Sequence, residues 1–126
     1  MGLIHTKVML RNPRFPDLHS MEVEALVDTG AVTMCVPEHV ARQLKREEVE
    51  KREATIADGS RVSVSYAGTL QVFFKNRSSF CGAMVLGDSV LLGAIAMEDM
   101  DLVILPKSRT IDVNPDSPNF AQAIVK

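Results

Sequence analysis

Short apolar stretches separated by polar turns run along most of the chain and predict β-strands. Residues 21–27 alternate apolar and polar side chains and then become fully apolar at Ala25-Leu26-Val27, as expected of a strand that passes from the surface into a core. Short strands at this spacing favour a barrel or a sandwich. The other predicted strands are residues 3–10, 32–36, 54–57, 61–66, 68–74, 80–86 and 102–105, and residues 110–113 are a candidate hairpin partner for the last of these.

One or two short helices interrupt this pattern. Pro37 suits the first residue of a helix, and Val40, Ala41 and Leu44 then form an apolar face at helical spacing. Residues 94–100 are rich in the good helix formers Ala, Met and Glu. We expect the charged residues 45–53 to be an exposed helix end and loop. The predicted fold class is therefore all-β, with one or two short helices.

A β-hairpin is predicted around Asp58-Gly59-Ser60, which lies between residues 54–57 and 61–66. Asp-Gly between two alternating runs is a strong hairpin signal, because glycine adopts a positive φ at little cost.

The length of the chain, 126 residues, fits one domain with a core of its own. We expect the domain to cover residues 1–113. The remaining residues, 114–126, contain Pro115 and Pro118 and are predicted to be a partly ordered C-terminal tail.

Charge and cysteine content narrow the classes of partner. A net charge of -2 gives no reason to expect a nucleic-acid partner, and no apolar run is long enough to span a membrane. Cys35 and Cys81 match no metal or redox spacing, so we expect buried thiols in a reducing cytoplasm, although a pair between them stays open. His5, His19 and His39 are scattered without ligand spacing and are interpreted as surface residues, so no metal site is expected.

The candidate chemistry lies at Asp28-Thr29-Gly30, directly after the apolar strand end. The preceding residues place the Asp28 carboxylate at the edge of a core, and a lone buried carboxylate is unfavourable there. Two such carboxylates that face each other can share one proton, so that one acts as a general base on water and the other holds a carbonyl group. Gly30 allows close approach of the backbone, and the Thr29 hydroxyl is a candidate to fix the loop.

These residues resemble the retropepsin family, the single-domain aspartic proteases of retroviruses and their cellular and bacterial relatives. The apolar-apolar-Asp-Thr-Gly-Ala motif of that family appears as Leu26-Val27-Asp28-Thr29-Gly30-Ala31. Its later apolar-apolar-Gly element appears as Leu91-Leu92-Gly93, followed by the expected short helix. The hairpin at Asp58-Gly59-Ser60 occupies the position of the family's flap, and the similarity extends over roughly residues 3–105.

The resemblance implies a closed acid-protease barrel and an aspartic endopeptidase that hydrolyses peptide bonds with activated water, without metal or cofactor. It implies Asp28, Thr29 and Gly30 as catalytic residues. Because the chain has one such motif, it also implies a homodimer that pairs two copies of Asp28. A polypeptide substrate is expected under the flap, and the candidate contacts are Ala31, Ile56, Ala57, Asp58, Gly59 and Ser60.

Two departures from the family pattern follow Gly93. Viral members have an arginine at the next position, where this chain has Ala94, and many cellular relatives have an aspartate one residue later, where it has Ile95. A catalytically inactive dimerisation or peptide-binding module of the same fold is therefore the alternative function. A further alternative is an interaction protein whose exposed C-terminal strands pair with a partner.

Overall fold

A closed barrel of six strands forms the body of the protein. The computed structural model describes residues 3–125. It contains nine strands and two short helices. In chain order these are β1 (His5–Arg11), β2 (Met21–Val27), β3 (Met34–Val36), α1 (Glu38–Gln43), β4 (Glu48–Thr55), β5 (Arg61–Phe74), β6 (Arg77–Val85), β7 (Val90–Leu92), α2 (Ala94–Asp99), β8 (Leu102–Leu105) and β9 (Thr110–Val113).

The barrel strands follow the order β1-β2-β7-β3-β6-β5, and pairing of β1 with β5 closes the ring. Two of the pairs, β2 with β7 and β3 with β6, are parallel. Strand β4 pairs with the outer edge of β5, while β8 and β9 form a separate two-stranded sheet. The prediction of a closed all-β barrel is confirmed.

The hydrophobic core lies inside the barrel and consists of the side chains that point inward from its strands. In β5, Leu70, Val72 and Phe74 are buried, whereas the residues between them are only partly covered. This is the alternation expected when every second side chain points inward. Leu10 from β1 and Leu92 from β7 are fully buried in the same cluster.

Both predicted helices are present. Helix α1 buries Val40 and Ala41, and Pro37 lies at its N-cap with an extended ψ of 157°, one position before the predicted first turn. Helix α2 begins directly after Gly93 and buries Ala96 and Met97. Among residues 3–125, no helix is long and apolar enough to cross a membrane.

The expectation that residues 45–53 are a loop was wrong, because most of them belong to strand β4, Glu48–Thr55. This strand has no buried residue, so its sequence lacks the apolar alternation that marks a half-buried strand. The ladder with β5 holds it, together with the cross-strand ion pair of Glu53 with Arg61 of β5 at 3.7 Å. The two strands predicted at 61–66 and 68–74 are likewise one continuous strand, β5.

Residues after β9 are hydrogen-bonded to the barrel domain through Asp101, which directly precedes β8. Its carboxylate accepts hydrogen bonds from the Asn114 amide at 3.1 Å, from the Ser117 hydroxyl and from the Gln122 main-chain N–H at 3.1 Å. The guanidinium of Arg77, a residue only 3% exposed, donates to the Ser117 carbonyl. The first part of the predicted tail therefore lies against the body of the protein.

We expect Asp101→Asn to loosen residues 114–122, seen as faster amide hydrogen exchange there at neutral pH. Hydrogen bonds from Ser117, Asn114 and Gln122 lower the pKa of Asp101, so its contribution to stability is complete above the ordinary pKa of an aspartate. That contribution is lost as the pH falls through the lower pKa of the folded state. Wild type and variant should therefore converge in acid. Asp17→Asn, in an exposed loop, is the control, and equal exchange in both variants would contradict the role of Asp101.

Candidate active site

Asp28 lies where two parallel strands end side by side. Val27 of β2 pairs with Leu92 of β7, and the Asp28 N–H then donates to the Leu92 carbonyl at 3.0 Å. The chain turns immediately afterwards, because the Ala31 N–H donates to the Asp28 carbonyl at 3.1 Å. The Gly30 N–H donates to Asp28 Oδ1 at 3.0 Å, which fixes the direction of the carboxylate.

The loop after Asp28 is joined to the start of helix α2. The Ala94 N–H donates to the Ala31 carbonyl at 2.7 Å, and the Ile95 N–H donates to the Val32 carbonyl at 3.1 Å. Gly93 makes this approach possible, because a Cβ atom there would lie 2.5 Å from the Thr33 carbonyl oxygen and 2.7 Å from that of Ala31. The two motifs recognised in the sequence are therefore parts of one structure.

The carboxylate of this loop lies at the protein surface. Asp28 is partly buried, whereas Thr29 and Gly30 are exposed. The hydrogen bonds that hold the loop come from main-chain N–H groups, so its conformation depends on the backbone of Gly30 and Ala31. The carboxylate is fixed through Oδ1 and is only partly buried, so its other oxygen can bind a second charged or polar group.

A thiol near this carboxylate was not recognised from the sequence. Cys35 is buried in β3, where it pairs with Leu91 of β7. Burial, and secondly the charge of Asp28, raise the pKa of Cys35, so the thiol stays protonated beside the carboxylate. No spacing rule reveals this neighbour, because it depends on the pairing of β3 with β7. Both Cys35 and Cys81 are free thiols.

The predicted hairpin is present, with β4 and β5 as its strands and residues 56–60 as its tip. Gly59 has a φ of +87°, and its N–H donates to the Ile56 carbonyl at 2.8 Å. Asp58 Oδ1 accepts from the Ser60 hydroxyl at 2.6 Å and from the Ser60 N–H at 2.8 Å. These bonds lower the pKa of Asp58, so the tip carries a fixed negative charge. We call this element the flap hairpin.

A groove of about 730 Å³ runs between the flap hairpin, helix α1 and the end of β6. Its apolar lining includes Ile56, Val62, Val85 and Leu86, with charged residues of α1 and β4 at its rim. Of the predicted substrate contacts, Ile56 lines this groove. Ala57, Asp58, Gly59 and Ser60 are exposed at the hairpin tip, and Ala31 stays with Asp28 in the other loop.

Exposed apolar side chains surround the Asp28 loop. Val32, 65% exposed, and Ile95, 47% exposed, are joined by their main-chain hydrogen bond. Leu3, 70% exposed, adjoins Ile4, whose carbonyl accepts from the N–H of Val27. We call Leu3, Val32 and Ile95 the apolar rim.

Comparison with known proteins adds one piece of information about the fold. No protein-family model matches the chain, and no curated protein matches it. The solution structure of the simian foamy virus (mac) protease is similar, with 15% identity over 73% of this chain and 91% of that one and a TM-score of 0.50. A retropepsin-like aspartic protease from Rickettsia conorii is 19% identical over 75% of this chain and 79% of that one, with a TM-score of 0.42. The closed barrel and the similarity to the foamy virus protease together show that this chain has a retropepsin-like fold.

Proposed function

We propose that the protein is an aspartic endopeptidase that is active as a homodimer, with Asp28 of each subunit in one shared active site. The observation that carries this proposal is the position of Asp28, held by the Gly30 N–H where the two parallel strands β2 and β7 end at the surface. The simian foamy virus protein with the similar fold is a protease, which supports peptide hydrolysis as the reaction. Thr29 and Gly30 complete the proposed catalytic loop.

The proposed reaction needs two carboxylates that share one proton. The ionised Asp28 removes a proton from a bound water, and the hydroxide formed attacks the carbonyl carbon of the scissile peptide bond. The protonated Asp28 of the partner subunit donates a hydrogen bond to the carbonyl oxygen during this step. A proton then passes to the leaving nitrogen, the C–N bond breaks, and an acid and an amine are released.

A second copy is required because each chain carries one Asp-Thr-Gly tripeptide. In a two-fold dimer the same surface of both subunits meets, so residues beside Asp28 would face their own equivalents. The apolar rim is suited to this role, because its side chains are exposed in the single chain and would be removed from water on association.

The proposed substrate is an extended peptide that lies between the Asp28 loop and the flap hairpin. Ala31 would contact it on one side, and Ile56, Ala57, Asp58, Gly59 and Ser60 on the other. The apolar lining of the groove beside the flap hairpin supports binding of aliphatic or aromatic side chains of the substrate.

A dimeric peptide-binding module without catalysis is the second candidate. The observation that favours it is the start of α2, where Ala94 and the exposed Ile95 offer apolar contact instead of a charged brace. Such a surface supports assembly without fixing the two carboxylates relative to each other.

For the compartment, we propose a reducing one such as the cytoplasm. Both cysteines are free thiols, and burial raises the pKa of Cys81 to about 11, which keeps it unreactive.

We expect Asp28→Asn to reduce peptide cleavage by a factor of about 10² to 10⁴ or more, because it removes the general base. The assay compares wild type and variant on an unstructured peptide mixture at mildly acidic pH, with protein concentration as a second variable. Asp88→Asn, in an exposed turn, is the matched control and should cleave like wild type. Circular dichroism and thermal unfolding should show the same fold in all three proteins.

Equal cleavage by wild type and Asp28→Asn would contradict the assigned role of Asp28. A wild type that dimerises and binds peptides, but neither cleaves them nor responds to pepstatin-like transition-state mimics, would favour the binding module.

We expect Ile95→Lys to shift the protein towards monomer in sedimentation velocity experiments across a concentration series. In the proposed dimer the substitution replaces an isoleucine side chain at the interface with a charged one. This should weaken association about tenfold or more. Phe15→Lys is the control, because Phe15 is 44% exposed, close to the 47% of Ile95, and lies in the loop between β1 and β2. The same shift in both variants would argue against the apolar rim as the dimer surface.

A further inference from the structure

The flap hairpin leaves the barrel at a defined rung of strand β5. From Phe74 to Ser65, β5 pairs with β6 on one side, and the pair of Ser65 with Val85 is the last one. Beyond it, β5 pairs with β4 and no longer with β6. The pair of Arg52 with Val64 is therefore the first rung of the projecting part of the hairpin.

The strands are irregular just below this point. The ladder between β4 and β5 shifts register between Glu48 and Glu50, and the ladder between β5 and β6 shifts between Ala67 and Leu70. Gly68 lies within the second shift, and the guanidinium of Arg46 occupies the space where a Cβ of Gly68 would be. Irregular pairing bends a strand and weakens its ladder, so the hairpin has a natural pivot here.

One side-chain stack spans this pivot. The guanidinium carbon of Arg52 lies 3.6 Å from the centre of the Tyr66 ring. The Tyr66 side chain also contacts Gly82 of β6, since a Cβ atom at Gly82 would lie 2.0 Å from the Tyr66 hydroxyl oxygen and 2.3 Å from Cζ of the ring. The stack thus joins three strands, from projecting hairpin to barrel wall. Glu50 forms an ion pair with Arg52 at 3.5 Å and orients the guanidinium.

We propose that Arg52 and Tyr66 are positioning residues that clasp the flap hairpin to the barrel and thereby set its place over the substrate. Arg52 belongs to the projecting part of the hairpin, and Tyr66 lies in the last residues of β5 that still pair with β6. Gly82 of β6 leaves room for the Tyr66 side chain, because it has no Cβ atom. A cation over an aromatic face is attractive yet tolerates sliding, so the contact restrains the hairpin without a rigid bond. This role for substrate binding rests on the proposed peptidase function, whereas the restraint on the hairpin does not.

The test is amide hydrogen exchange across residues 52–64 in the full chain, without substrate. Arg52→Leu keeps the stem of the side chain and removes the cation, and Tyr66→Leu removes the ring. We expect each variant to raise exchange in this segment about two- to fivefold, the effect of losing one exposed cation–π contact. Tyr66→Phe keeps the aromatic face and should behave like wild type.

Arg61→Leu is the matched control. Arg61 lies on the same hairpin and has an ion pair with Glu53 at 3.7 Å, so its loss removes the same charge without touching the ring. Equal exchange in Arg52→Leu and Arg61→Leu, or no change in Arg52→Leu, would overturn the proposal. If Tyr66→Leu raises hydrogen exchange over the whole barrel, the variant has lost the packing of the ring on Gly82. Arg52→Leu leaves that packing intact, so its exchange in residues 52–64 then decides whether the cation restrains the hairpin.

Peptide cleavage supplies the second readout. A loosened hairpin should raise KM for long peptides several-fold more than it lowers kcat, with Tyr66→Phe restoring both. If the variants raise hydrogen exchange as expected but the wild type cleaves no peptide, the restraint on the hairpin is supported and the peptidase function is overturned. Cleavage with unchanged KM in Arg52→Leu would overturn the role of Arg52 in substrate binding and leave the peptidase function.

Discussion

The parallel pairing of β2 with β7 is the constraint on which the rest of the site depends. It brings the end of one strand, Asp28, beside the end of another, Gly93, and the main-chain bonds from Ala94 and Ile95 then fix the loop between them. Parallel strands cannot be joined by a short turn, so the barrel must wrap the intervening chain around before this pair can form. The closed sheet is therefore a requirement for the position of the carboxylate, and the contact of Gly93 with two carbonyl groups shows how little space the joint leaves.

Most of this arrangement could be predicted because its signals are local. The apolar end of β2, the Asp-Gly turn at residues 58–59 and the glycine after Leu92 each depend on a few adjacent residues and on the backbone conformations they favour. They predicted the β-rich fold and the hairpin, and the helical spacing after Pro37 and the good helix formers in residues 94–100 predicted the two helices. The same locality explains why Asp28 stood out, since its setting is defined by the residues immediately before and after it.

What could not be predicted depends on pairing between distant strands. Strand β4 has no buried side chain, so its charged sequence predicts a loop. Only its pairing with β5 identifies it as a strand. Cys35 approaches Asp28, and Arg52 reaches Tyr66, through register that no spacing in the sequence records. The apolar rim has the same origin, because main-chain hydrogen bonds between Ile4 and Val27 and between Ile95 and Val32 bring distant parts of the chain to the Asp28 loop. Long-range register is thus what separates the predicted site from the observed one.

Because the apolar rim carries no charge, the strength of the proposed dimer should depend little on pH. A brace made of charged side chains weakens in acid, because its carboxylates take up protons at the pH where a proton-sharing pair of aspartates works. Leu3, Val32 and Ile95 do not titrate, so contact through them keeps its strength across that range and is little affected by salt. Apolar contact is also less directional than a bidentate ion pair, and therefore fixes the two carboxylates less tightly. The geometry of the pair then depends on the backbone of the Asp28 loop itself, which the Gly30 and Ala31 N–H groups already hold in the single subunit.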